Sequence, residues 1–259
     1  MEAPKDRRGI HSVEVAHRVL AALQASPKPL PLKQIAAQTG LSPSAANNYL
    51  VSLARTGLAV PDERAGHYRL GPGAVALGLS AIRQIDGYEI LRREVTLLRD
   101  ATGLSAAVSS WTADGPVSLF TEPGDRLGVY DLRTGLLGMQ ATAAGRLFAA
   151  CLPEAVTAPL LARSGLGADE AAGFLAAARR EWQAAGYVAV RREDGTGYVA
   201  IAMPVWDWQG RPRFALSVIG ARTTLPTAPD SPAVLALRAR AAAATGALGG
   251  AAPGEGAAG

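Results

Sequence analysis

The chain has 259 residues, room for one or two domains at roughly 150 residues each, and its 49% hydrophobic and 19% charged residues match a folded globular protein. One cysteine, Cys151, excludes an intrachain disulfide framework, and three scattered histidines (His11, His17, His67) exclude a clustered zinc site. No apolar run reaches the ~18 residues of a membrane helix, so a cytoplasmic protein without metal or other cofactor is expected. The net charge of +4 lies wholly in the first 70 residues, where nine Lys and Arg face five acids, and the remainder is neutral.

Val13, Ala16, Leu20 and Leu23 recur at helical spacing and predict an amphipathic helix that stops before Ser26-Pro27. A second, short helix is expected over Pro31 to Thr39, with proline at its first position, Leu32, Ile35 and Ala36 on one face, and Gly40 past its end. Ser42-Pro43 reads as an N-cap followed by a first-turn proline. It opens a third helix whose buried seam is Ala46, Leu50 and Leu53, ending at Gly57. Leu58–Val60 and His67–Leu70, joined by a polar turn, predict a hairpin. Three helices and a hairpin within about 65 residues make a winged helix-turn-helix.

Gly71-Pro72-Gly73 punctuates the chain, and Val75, Leu79 and Ile82 begin a linker helix whose apolar spacing suits a dimer contact. Leu91, Val95 and Leu98 mark another helix from about residue 88, followed by strands near Ser105–Trp111 and Val117–Glu122. Helices at about 142–151 and 169–185 then alternate with strands at Tyr187–Val190, Val199–Val205 and Phe214–Gly220, and a last helix begins after Pro232. A hairpin turning through Asp207-Trp208-Gln209-Gly210 implies antiparallel pairing. The fold class is therefore α+β: a winged helix-turn-helix over 1–71, a linker helix over 72–87, and a second domain with a central antiparallel sheet over 88–248. The Ala/Gly-rich tail, 249–259, is expected to be disordered.

A basic unit joined to a larger neutral one is the charge pattern of a nucleic-acid reader with a separate sensing module. Off the seam of the third helix lie Ser44, Ala45, Asn47, Asn48 and Ser52, which would face a major groove. Asparagine bonds bidentately to adenine N6 and N7, and Ala45 suits a thymine methyl, so this face fits A·T-containing half-sites. Phosphate contacts would come from the Ser42 and Ser44 hydroxyls, helix N-termini, and the cations Lys33, Arg55 and Arg64.

Three stretches of this half, Gly9-Ile10-His11-Ser12-Val13, Leu41-Ser42-Pro43-Ser44 and Gly66-His67-Tyr68-Arg69-Leu70-Gly71, resemble IclR-type bacterial transcription regulators. In the second half, Ala141-Thr142-Ala143-Ala144-Gly145-Arg146 is similar to that family's motif at the start of an effector-domain helix. Gly186-Tyr187, Ile201–Val205 and Ala215–Gly220 resemble its C-terminal strands. The resemblance covers about residues 9 to 245. It implies a GAF-like effector domain, assembly as a homodimer or homotetramer, double-stranded promoter DNA as partner and a small-molecule effector. Where many relatives carry His-Arg in the recognition helix this chain has Asn47-Asn48, which implies a different operator.

In relatives that bind small keto acids, backbone N–H groups at a helix start act with an Asp, a Cys and two Ser. The helix start corresponds to Ala143 and Ala144, and the four polar positions correspond to Val190, Ala200, Ser217 and Ile219, so three of the four side chains are apolar here. The wall positions correspond to Val129, Leu137 and Tyr198. A polar ligand group left unpaired costs about 1–3 kcal/mol, which disfavours glyoxylate or pyruvate. The expected effector is a larger, hydrophobic or aromatic carboxylate with its anion at the helix N-terminus.

No nucleophile with a base and an orienting group is present, because the second domain has no histidine, so no enzyme is expected. Cys151 reads as an inert buried thiol, Trp206 and Trp208 as packing residues flanking a turn, and Arg191-Arg192-Glu193-Asp194 as a solvated, self-paired loop. The expected function is a DNA-binding transcription repressor. The alternative is a metabolite-binding or catalytic module whose winged helix makes protein contacts.

Overall fold

The computed structural model describes residues 9–125, 134–192 and 197–252, which fall into two compact units, Met1–Ile85 and Asp86–Gly259. The first begins with α1 (His11–Gln24), β1 (Leu30–Pro31), α2 (Leu32–Thr39) and α3 (Pro43–Arg55). It continues through β2 (Ala59–Pro61), β3 (His67–Leu70) and α4 (Pro72–Arg83). The three helices close on a core of Val19, Leu23, Ile35, Leu50 and Leu53, joined by Leu30 and Ala59 from the strands. Gly40 ends α2 with φ +69°, a left-handed conformation that glycine adopts without steric cost, so the chain turns at once into α3.

Two details differ from the periodicity reading. The buried face of α1 is Val15, Val19 and Leu23, and Val13 is 62% exposed. Both stripes are apolar and share Leu23. Packing of α2, α3 and β3 selects the one centred on Val19, leaving Val13 about a third of a turn away in solvent. The hairpin gains a third strand, because β1 pairs antiparallel with β3 (Leu30 with Tyr68), giving the order β1-β3-β2. Pro31 accordingly precedes α2 as its N-cap and is not its first residue.

The second unit opens with α5 (Tyr88–Thr102), β4 (Ser105–Thr112), β5 (Gly115–Glu122) and β6 (Gly135–Leu136). It then runs through α6 (Ala143–Cys151), α7 (Glu154–Arg163), α8 (Ala168–Ala185) and β7 (Val188–Arg191). It closes with β8 (Tyr198–Trp206), β9 (Pro212–Ala221) and α9 (Pro232–Ala247). The strands form one six-stranded antiparallel sheet in the order β6-β5-β4-β9-β8-β7. Successive side chains alternate between its faces. Ala200, Ala202 and Ala215 meet α6, which in turn packs on α8, while α9 lies against β8 and α5, packed beside α9, lies against β4. Leu147 and Phe148 of α6 are fully enclosed, each contributing about 2 kcal/mol by burial.

Helix α7 has no counterpart in the sequence reading. Pro153 serves as the N-cap, Pro159 sits inside the helix, and buried Thr157 and Leu161 hold it in place. Among the described residues no helix is long and apolar enough to cross a membrane, and no group of His, Cys, Asp and Glu could hold a metal ion.

Candidate DNA-reading face and effector pocket

Helix α3 begins with a side-chain cap, the Ser42 Oγ accepting the Ala45 N–H at 3.2 Å, with Pro43 at the first position. Its seam of Ala46, Leu50 and Leu53 is buried, so the opposite face is presented outward. Ser44, Asn48, Ser52 and Arg55 are exposed there, Ala45 and Asn47 are half-buried, and Lys33 on α2 and Arg64 in the β2–β3 turn are exposed. The two asparagines are not equivalent. The Tyr68 hydroxyl, on β3, donates to Asn47 Oδ1 at 3.5 Å, so that amide oxygen faces the wing strand, whereas Asn48 stands in solvent. Sequence reasoning missed Val51, 40% exposed on the same outward face.

In the second unit, α6 starts at a tight crossing. The Thr142 Oγ1 accepts the Gly145 N–H at 3.0 Å and donates to the Gly138 carbonyl at 2.8 Å. The N–H groups of Ala143 and Ala144, in the first turn, have no intrahelical acceptor and sit at the positive end of the helix dipole. Both residues belong to the cluster formed by Leu147, Phe148, Ala200 and Ala202, with Leu137, Val190, Tyr198 and Ile219 packed against it.

Register explains the convergence. Ala200 pairs with Val190 on one side and Ile219 on the other, so the three form an apolar row across β7, β8 and β9. In the next row of that face Ser217 lies between Ala202 and Ala107. Its hydroxyl is buried with no hydrogen-bond partner among the described residues. Every described position that the resemblance assigned to the pocket thus lies on or beside this one face, and Val129 lies outside the described residues.

This face has supports that the sequence reading did not name. Trp111 packs against Phe148 with ring centroids 5.6 Å apart. Glu181 of α8 accepts from Arg146 Nε and from the Ala189 N–H, both at 2.7 Å. One carboxylate therefore ties α6 to strand β7 beside Val190. Arg146 sits in the quoted motif, but its partner lies 35 residues away, a distance that no local pattern reports.

Other side chains sort as follows. Cys151 is half-buried, and burial pushes its thiol up to about 12. Trp206 is buried and packs against Trp182 with ring centroids 6.1 Å apart and planes tilted by 51°, while Trp208 is 70% exposed. Arg191 donates to the Thr227 hydroxyl and Arg192 lies 5.5 Å over the Tyr198 ring; Glu193 and Asp194 lie outside the described residues.

The profile described as the IclR helix-turn-helix domain matches residues 12–63, which span α1 to the start of the wing. The HTH-type transcriptional regulator XynR of Escherichia coli K12 is 29% identical over 220 residues, covering 81% of this chain and 85% of that protein. An IclR transcriptional regulator from Alicyclobacillus acidocaldarius is similar in structure at TM-score 0.73 and 26% identity, over 94% of this chain and all of that one. Pseudomonas aeruginosa HmgR is similar at TM-score 0.56 and 27% identity, over 93% of this chain and 99% of that one.

Proposed function

We propose that this chain is an IclR-type transcription regulator that represses by binding promoter DNA as a dimer or tetramer and responds to a hydrophobic or aromatic carboxylate, a reading supported by its similarity to that family's helix-turn-helix domain and to the IclR regulators above. In this reading residues 1–71 bind DNA, 72–87 link, and 88–248 hold the effector. The outward face of α3 reads base edges, and Lys33, Arg55 and Arg64 neutralise phosphates. The effector carboxylate lies at the Ala143 and Ala144 N–H groups, and its apolar body covers Val190, Ala200 and Ile219.

The observation that carries the effector assignment is the apolar row beside an uncapped pair of N–H donors. A keto acid would leave its second polar group facing Val190 and Ile219, at about 1–3 kcal/mol. Coupling to DNA needs only ~1.4 kcal/mol for a tenfold change in operator affinity, and linker helix α4 is where that coupling would pass.

The test joins calorimetry with DNA titration. Aryl and long aliphatic acids are expected to bind and to change affinity for the gene's own upstream DNA, whereas glyoxylate and pyruvate are not. Micromolar keto-acid binding with aromatic acids inert overturns the effector assignment. Three phosphate-neutralising cations per protomer, six per dimer, predict about a thousandfold loss of operator affinity between 50 and 200 mM salt. A salt slope near zero, or no preference for upstream DNA over random duplex, overturns the DNA assignment.

A further inference from the structure

The outward side chains of α3 form one stripe, Ser44, Asn48, Val51, Ser52 and Arg55, opposite the buried seam. Four of the five are polar or charged. Val51, in the middle of the stripe, is 40% exposed, with Asn48 about one turn before it and Arg55 one turn after. A β-branched residue at such a position loses helix propensity relative to alanine and leaves part of its apolar surface in water.

We infer that Val51 is a specificity-determining residue whose methyl groups pack against a thymine C5-methyl, beside a base read by Asn48. This rests on the DNA-binding reading above. Thymine alone among the bases puts a methyl group in the major groove, and small apolar side chains are its ordinary partners there. Asn48 supplies the adjoining polar contact, since bidentate pairing with adenine needs both an amide oxygen and an amide nitrogen. Asn47 is the poorer candidate, because its oxygen faces the Tyr68 hydroxyl. Three residues advance an α-helix by about 4.5 Å and one base-pair step is about 3.4 Å, so Asn48 and Val51 fall on neighbouring pairs. The preferred half-site therefore holds an adenine next to a thymine. The surrounding charge agrees, because the chain's +4 excess lies within the first 70 residues.

The full-length protein is used to select its preferred duplex from a random pool, and each thymine is then replaced in turn by deoxyuridine, which removes only the methyl group. One thymine per half-site is expected to cost wild type about fourfold in affinity on losing its methyl, the factor that burying one such group supplies. Val51→Ala, which removes the contact in both half-sites of a dimer, should lose about sixteenfold on the thymine duplex and be indifferent to deoxyuridine there, while Val51→Thr, which keeps a methyl, stays sensitive. A thermal melt shows that both variants fold. Unchanged affinity in Val51→Ala, or the same deoxyuridine sensitivity as wild type, overturns the role of Val51 alone. Enrichment of no sequence by wild type overturns the DNA-binding reading and this inference with it.

Discussion

Asp207 is 3% exposed, yet its position in the β8–β9 turn satisfies both carboxylate oxygens. Oδ1 accepts the N–H groups of Gln209 at 2.9 Å and Arg211 at 3.0 Å, and Oδ2 accepts Nε and Nη2 of Arg211 at 3.0 and 2.8 Å. Burial pushes this carboxyl up, but the hydrogen bonds from Arg211 and Gln209 outweigh it and hold the group below its ordinary 3.8. A depressed carboxyl stabilises the fold fully above that ordinary value and ceases to as pH falls through the folded-state value. Asp207→Ala strands two backbone donors and is expected to cost about 2 kcal/mol in urea unfolding at pH 7. The gap from wild type should persist down to about pH 4 and shrink below 3.8. Trp208, 70% exposed, rides on this turn, and nothing in the structure explains its exposure.

At the scale of elements, α6 depends on the absence of a side chain at Gly145. A Cβ there would lie 2.5 Å from the Gly138 carbonyl oxygen and 2.7 Å from the Met139 Cα, both backbone atoms that no rotamer change can move. Gly145→Ala is expected to destabilise the protein by about 3 kcal/mol and to abolish effector binding, because the chain segment over Ala143 and Ala144 must shift. Gly173→Ala is the control: its Cβ on α8 would meet nothing within 4 Å, so it should raise stability by about 0.5 kcal/mol in the same denaturant series. The start of α6 was legible as a motif, and α3 as a cap, a first-turn proline and a seam, since these are contacts within a few residues. Val13 was misplaced for the opposite reason. Its helix offers two apolar stripes, and neighbours distant in sequence select between them.

At the scale of the whole molecule, α4 has no buried residue, and Val75, Leu77 and Leu79 are 60%, 61% and 54% exposed. An apolar helix in this state is the natural seat of the proposed dimer contact. Leu79→Glu is expected to weaken self-association about thirtyfold, the equivalent of ~2 kcal/mol for one buried leucine, read as a shift of the sedimentation midpoint along a dilution series. An unchanged midpoint would place the dimer contact elsewhere.

Residue order alone settled most of the helices, the winged amino-terminal unit, the antiparallel carboxy-terminal strands and the confinement of positive charge to one end, but not α7 or the start of α2. Caps, turn residues and the two periodicities act between near neighbours and are written in the chain. Only the folded molecule decided that Tyr68 faces Asn47 while Asn48 and Val51 stay in solvent, and that Glu181 ties α6 to β7. The same holds for Val190, Ala200 and Ile219 lining up across three strands. Each of these joins positions on different elements, and their meeting depends on strand register and helix packing, which are properties of the whole arrangement and of no local segment.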